Sequence, residues 1–572
     1  MDIKDTPFSY FKSYMSIVTE KDNDNIEDSL WLKSLRGKAK HQMKSIEIIP
    51  IVDGKKSSYR IHADYSKIDI SVTNGGSITI AFESDKRIII EGTNCDLKLD
   101  THPKYNFEYN YLLSRNEQVY CIVNSYKNYT KYLVYPITGQ MNLEQTLSID
   151  SAGSMNDSTN ESYIIIKQNK EGRFTVVLED VPTNGAIPTE ANVSIQQAID
   201  STKASFNRFC QNLPSIPEEF QETQKAAAYV LWSSTVKSEG NLKRTTVYSS
   251  NKNFPGAWSW DHCFIALGLA QINKELALDQ MFTILDHQDD LGQLPGSVSD
   301  SSIRWNFSKP PVHGFFFQKL RPHLFFTEEQ TKEIYTKLEK QVMFYLGYKD
   351  SNQDGICEYH HGNDSGQDNS TVFRKPVIID SPDLTAFLIK EMEFLSEISR
   401  DLHNDEHAVY WENQAFELQE RFNNYFLVND LPTAKETLTG GEIHSHSLLP
   451  MVSIILGNRL PDKTIQLLLK RLSSPDYLTE WGVATESLNS SEYQEDAYWR
   501  GAIWGPTTLL IVEGLEDIGE TLLAKEIAKK YCRLAKMSGF PENFNAKTGA
   551  PLRDKSFSWT AAVFLHLSTK IF

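Results

Sequence analysis

The chain has 572 residues, more than one ordinary hydrophobic core serves, so two or more domains are expected. With 40% hydrophobic and 23% charged residues it has the balance of a soluble globular protein. A net charge of −17 argues against nucleic acid or an anionic membrane as partner of the overall field, since both are themselves negative.

The first residues are polar, and no basic stretch leads into an apolar run, so no signal peptide is expected. No segment approaches the ~20 apolar residues of a membrane helix. The six cysteines are scattered without a CxxC, which suits reduced thiols in a cytoplasmic protein better than a disulfide framework or a zinc site.

In chain order, residues 1–195 read as an antiparallel β-sandwich with an N-terminal extension. Short runs rich in Ile, Val, Tyr and Phe occupy 45–51, 58–62, 68–72, 77–82, 87–91, 118–123, 131–136, 162–167 and 173–178, separated by turn residues. Residues 28–38 are expected as an outer helix. A helix over 190–213 is punctuated by Pro214 and Pro217, and 196–216 is taken as a linker. From 217 to 572 the pattern is helical, at 221–236, 264–272, 275–285, 327–346, 384–400, 408–424, 463–472, 507–512, 520–536 and 560–569. Short turns alternate with long aromatic loops, which fits an all-α toroid, the (α/α)6 barrel, with loops at one end forming a pocket. An α-solenoid is the alternative; no fixed-period repeat supports it.

Several loops carry residues suited to a sugar. Trp258, Trp260 and Asp261 pair aromatic faces for C–H surfaces with an acceptor for hydroxyls. Taken alone, they also read as core residues and a helix cap. Gln288 and Gln293 lie in a polar loop that reads equally as a structural turn, and His313 follows two rigidifying prolines. Asp350, Asn352 and Asp354, before Gly355, match the opening of a calcium loop or an Asx-rich turn; any calcium would be structural. Trp499, Arg500 and Trp504 crowd one segment, which reads as a subsite wall or as buried aromatics with an ion pair. Trp559 opens the last helix.

Two polar segments carry carboxyl groups far apart in sequence: Asp364 to Ser370, containing Asp368 and Asn369, and Phe540 to Gly549, containing Glu542. Glycoside hydrolysis needs two such groups, one acid for the leaving oxygen and one base for water.

Trp260-Asp261, Gln288 to Pro295, Pro310-Pro311, Asp354-Gly355, Ser365 to Ser370, Tyr498 to Trp504 and Glu542 to Gly549 together resemble, in order and spacing, glycoside hydrolase family 63 and more distantly the family 37 trehalases. The likeness spans roughly 221–572. It implies an (α/α)6 catalytic barrel preceded by a β-rich domain, and an inverting hydrolase of an α-glucoside or related small glycoside or oligosaccharide that needs no cofactor. It places the general acid on Asp368, the general base on Glu542, a hydroxyl-binding aspartate on Asp261, and subsite walls on Trp499, Arg500 and Trp504. Gln367 stands where these families often carry Trp or Met, and Lys309 where Gln is common. Asp368 is then expected in a buried or negatively charged setting, and Glu542 in a better solvated or hydrogen-bonded one. A sugar epimerase or isomerase working through His262, His313, His444 or His446, a phosphorylase, and a non-catalytic carbohydrate-binding protein remain alternatives.

Overall fold

The computed structural model describes residues 1–21, 28–37, 43–103, 105, 107–115, 118–147, 160–181 and 194–571. Two compact units divide it. The first comprises Met1–Gln211, Tyr229–Pro255 and Ser299–Ser302; the second comprises Asn212–Ala228, Gly256–Val298 and Ile303–Phe572.

In the first unit, alternation of apolar residues builds two antiparallel sheets of eight strands each. One runs, in spatial order, through Phe8–Ser9, Met15–Lys21, Asp28–Ser34, Lys44–Val52, Asp96–Asp100, Glu161–Lys167 and Gln140–Thr146, with Lys55–Lys56 paired onto Lys44–Val52. The other runs through Tyr111–Arg115, Gln118–Ser125, Thr130–Thr138, Arg173–Val181, Arg87–Thr93, Ser77–Ser84, Ile68–Val72 and Tyr59–Ala63. Ile46, Ile48, Leu97, Leu99, Ile164 and Ile166 meet Ile78, Ile80, Phe82, Val134, Val176 and Leu178 in one core between them. This is the expected sandwich.

The helix expected over 28–38 is instead the strand Asp28–Ser34, paired on both sides with neighbouring strands. Leu30 and Leu32 enter the core. Trp31, between them, lies under the Lys44 ammonium, 4.7 Å from its ring. That is a period of two; residue 38 lies outside the described residues. Helix α1 (Ile195–Cys210) starts at a Ser194/Gln197 capping box and packs Ala198 and Ile199 on Ala81 and Ile89, so it clusters with the first unit. The start of the helix expected at 190 falls among residues outside the described ones. After α2 (Gln221–Ser233), Tyr229–Pro255 also cluster with the first unit, whereas the sequence assigned everything beyond 217 to the second.

The second unit holds α3 (Asp261–Leu269), α4 (Lys274–Leu285), α5 (His313–Leu320), α6 (Glu328–Tyr348), α7 (Pro382–Asp401), α8 (Asp405–Phe426), the 3-10 segment Leu449–Arg459, α9 (Asp462–Leu472), α10 (Gly505–Asp517), α11 (Thr521–Ser538) and α12 (Ser558–Leu567). Helix α3 packs on α5, α5 on α7, α7 on Leu449–Arg459, that segment on α10, α10 on α12, and α12 back on α3. Six elements thus close an inner ring. Every residue of α3 and α12 is buried. The outer helices α8, α9 and α11 bury only a stripe, as amphipathic helices do. Glycines allow the closest crossings: a Cβ on Gly268 would lie 2.5 Å from the Ala562 carbonyl, and one on Gly314 2.5 Å from Glu391 Cα. The expected (α/α)6 barrel is present. No helix among the described residues is long and apolar enough to cross a membrane.

Candidate active site

Every inner element is entered by a loop that carries candidate residues or their supports. Trp260 and Asp261 open α3, Lys309 precedes α5, Asp368 precedes α7, Ser447 precedes Leu449–Arg459, Tyr498 to Trp504 lead into α10, and Glu542 and Trp559 flank the entry to α12. Side-chain contacts tie these loops together.

Indole rings form the floor. Trp499 stacks on Trp504 at 3.8 Å with planes 6° apart. Trp559 stands edge-on to Trp504 at 5.6 Å and to Trp260 at 5.8 Å. Gly366, at φ +75°, brings the Asp368 loop against Trp260, where an added Cβ would sit 2.5 Å from the indole. Asn369 clamps the same loop to the next one: its Oδ1 accepts from Trp499 N at 2.9 Å and its Nδ2 donates to Ala497 O at 2.9 Å.

Glu542 is 3% exposed, and the Tyr498 hydroxyl donates to its Oε1 at 2.8 Å. The Trp559 indole N–H donates to the Glu542 carbonyl at 3.4 Å. Burial pushes the Tyr498 phenol far above its ordinary pKa, and the charges of Glu542, Asp368 and Asp261 push the same way. One phenol therefore feels three carboxylates and stays a donor. Tyr498 holds φ at +65°, a region costly for a bulky residue and concentrated at functional sites.

The Asp368 side chain is 33% exposed, and Lys309 Nζ lies 3.1 Å from its Oδ1. The environments expected from sequence are thus exchanged in part. The candidate acid is the more exposed group and pairs with a cation, while the candidate base is buried and hydrogen-bonded. Asp364 takes no part in that pairing: it accepts from Ser308 N and His360 N and pairs with Lys349 at 3.2 Å, which shapes the loop. Gln367 is buried, and its Oε1 has no donor among the described residues.

Gln288, Gln293 and Arg500 turn their side chains to partners other than the two carboxylates. Gln288 Nε2 donates to the Gly292 and Lys337 carbonyls, and Gln293 Nε2 to the Trp305 carbonyl, so both brace their own loop. Arg500 is spent on Glu492, through its carbonyl and at 2.9 Å through its carboxylate. Trp258 is half-buried, with its carbonyl 3.0 Å from His262 Nδ1. His313 is buried at the start of α5, and burial pushes its imidazole down to about 3, so it is neutral.

The loop of Asp350, Asn352 and Asp354 is an Asx-rich turn. Asp350 accepts from Asp354 N and Gly355 N, Asp354 from Ile356 N, and Asn352 from Asp354 N. Arg421 donates to the Asp354 carbonyl at 2.8 Å and so sets a cation on the loop. These are the bonds of an Asx-rich turn, and they form without a metal. Among the described residues no group of three or more His, Cys, Asp or Glu could hold a metal.

Residues 254–560 match the profile of the mannosylglycerate hydrolase MGH1-like glycoside hydrolase domain. The chain belongs to this family. It is therefore a glycoside hydrolase, related to glycoside hydrolase family 63 as the motifs implied. It is 23% identical over 451 residues to a glucosylglycerate hydrolase of Mycolicibacterium hassiacum, covering 60% of this chain and 98% of that protein. It is 21% identical over 390 residues to a mannosylglycerate hydrolase of Thermus thermophilus, covering 54% and 94%. Among solved structures, a GH63 mannosylglycerate hydrolase from Thermus thermophilus in complex with glucose aligns with 60% of this chain and 99% of its own, at 18% identity and TM-score 0.52. A bacterial glucoamylase complexed with acarbose aligns over 100% of this chain and 94% of its own, at 12% identity and TM-score 0.66. That second likeness extends the shared fold to the β-sandwich of this glycoside hydrolase.

Tyr498 is the residue that sequence reading passed over. It stood beside two tryptophans in the same motif, and only its backbone strain and its bond to Glu542 single it out. Tyr498→Phe removes one hydrogen bond to a charged group, worth about 1.5–3 kcal/mol. The expected outcome is a roughly tenfold or greater fall in kcat with KM nearly unchanged and a melting temperature lower by a few degrees, read by steady-state kinetics and thermal melts.

Proposed function

We propose that this glycoside hydrolase cleaves the α-glycosidic bond of a small glycoside with inversion, and that the substrate is of the glycosyl-glycerate type named for its relatives. The observation that carries the reading is the convergence of two carboxylates from distant loops on one phenol: Tyr498 bonds Glu542 and feels the charge of Asp368. In this scheme Asp368 gives its proton to the glycosidic oxygen as the C1–O bond breaks. Water attacks C1 from the opposite face and yields its proton to Glu542. The products are a free sugar of inverted configuration and the free hydroxyl of the aglycone. Asp261 and the indoles of Trp260, Trp499, Trp504 and Trp559 are assigned to the sugar's hydroxyls and C–H faces. Buried Gln367, with an acceptor to spare, is the candidate for one further hydroxyl.

Two of the four histidines named for a shuttled isomerase are committed elsewhere: His313 is buried and neutral, and His262 faces the Trp258 carbonyl. All six cysteines are thiols rather than disulfides and five are buried, which supports a reducing, cytoplasmic setting. The test is a screen of α-glucosyl and α-mannosyl glycerates and α-linked disaccharides for monosaccharide release, with the first-formed anomer followed by proton NMR. A β-anomer is expected. A first-formed α-anomer overturns inversion, and release only in the presence of phosphate means a phosphorylase.

A further inference from the structure

Lys309 is a buried cation on the candidate acid. Its side chain is 6% exposed, and its ammonium donates to the Asn363 carbonyl at 2.7 Å and to Asp368 Oδ1 at 3.1 Å. Its backbone is fixed too, since the Tyr345 hydroxyl donates to the Lys309 carbonyl at 2.8 Å. The Phe307 ring lies 5.2 Å from the ammonium. The nearby Lys349 is committed to Asp364. An ammonium has three N–H donors, so Lys309 has one more to offer after these two bonds.

This pair conflicts with the proposed chemistry unless something relieves it. A general acid must carry a proton, and a protonated carboxyl group is no counter-ion. A buried ammonium left without one is costly. The substrate itself can supply the replacement. The acid touches the glycosidic oxygen, so a group 3.1 Å from the acid is within reach of a substituent carried one or two bonds from that oxygen. In a glycoside of a 2-hydroxycarboxylic acid, the carboxylate carbon is two bonds from that oxygen.

We propose that Lys309 determines aglycone specificity by counter-ion exchange. It takes the carboxylate of a 2-hydroxy-acid aglycone in place of Asp368, and Asp368 is freed to take up a proton from solvent and act as the acid. Binding the correct aglycone thereby completes the catalytic pair. A neutral aglycone leaves Lys309 on Asp368 and is cleaved slowly even when bound. The inference rests on the reading of Asp368 as acid and makes the choice of aglycone a property of kcat as well as KM.

The experiment compares matched substrates, an α-glycosyl glycerate and the α-glycosyl glycerol of the same sugar, with wild type, Lys309→Gln and Lys309→Arg. Wild type is expected to favour the glycerate in kcat/KM by at least about tenfold, the effect of losing one partner of a buried charge pair. Lys309→Gln should bring that ratio near unity, with a large part of the change in kcat, while Lys309→Arg retains a preference. A wild-type ratio near unity, or a ratio that Lys309→Gln leaves intact, overturns the proposal, as does a parallel fall on both substrates, which marks a merely structural lysine. Should Lys309→Gln fail to fold, product inhibition of the wild type reads the same contact: D-glycerate is expected to inhibit more strongly than glycerol, and equal inhibition overturns it. Failure of the underlying reading looks different, since Asp368→Asn would then hydrolyse both substrates at the wild-type rate.

Discussion

Glu542→Gln is expected to lower kcat by about 100- to 10,000-fold, the range for loss of a positioned general base. Glutamine is nearly isosteric, and its amide oxygen can still accept from the Tyr498 hydroxyl, now 2.8 Å from Oε1. The backbone of Glu542 is held independently: its N–H donates to the Asp554 carbonyl at 2.7 Å, and its carbonyl accepts from the Trp559 indole. The variant should therefore melt within a few degrees of wild type. What it loses is the ability to take a proton from water. Because water is the nucleophile whatever the leaving group, the loss should be as large on a glycosyl fluoride as on a sugar glycoside. Wild-type turnover by a folded Glu542→Gln enzyme would remove Glu542 from the mechanism.

How far the sequence disclosed this architecture depended on what each element buries. Strands such as Ile68–Val72 and Glu161–Lys167 alternate buried and more open residues, so a period of two is readable. The outer helices have a wet face and a dry one. Among the inner elements, His313–Leu320, with Phe315, Phe316 and Phe317, and Leu449–Leu456, buried throughout, show no helical period and were missed, while the equally buried α3 and α12 were found from their apolar runs but placed two or three residues late. In the site, acids and aromatics were legible because the chemistry requires those residue types in those loops. The direction of long polar side chains was not. Arg500, Gln288 and Gln293 point where a nearby carbonyl or carboxylate satisfies them, and those partners are set by the folded loops. Lys309 shows the converse. As sequence it was only a departure from a family habit; its place 3.1 Å from Asp368 gives it meaning.

Asp368→Asn separates the two carboxylates by chemistry. The turn itself is held without the Asp368 carboxyl group, since Gly366 makes the left-handed turn, Ser370 N donates to the Gln367 carbonyl at 2.9 Å, and Asn369 holds the neighbouring loop; the variant does remove the counter-ion of Lys309, so a lower melting temperature is expected. Asparagine fits the same space and lacks the transferable proton. On a sugar glycoside, whose leaving alkoxide needs protonation, kcat should fall about 100- to 10,000-fold. Fluoride departs without an acid, so on the corresponding glycosyl fluoride the variant should stay within about tenfold of wild type, the rest of the barrier still being lowered by sugar binding and by Glu542. The contrast with Glu542→Gln, which loses both reactions, is the diagnostic. Equal losses on the two substrates would show that Asp368 does not protonate the leaving group and would turn its pairing with Lys309 into a structural ion pair.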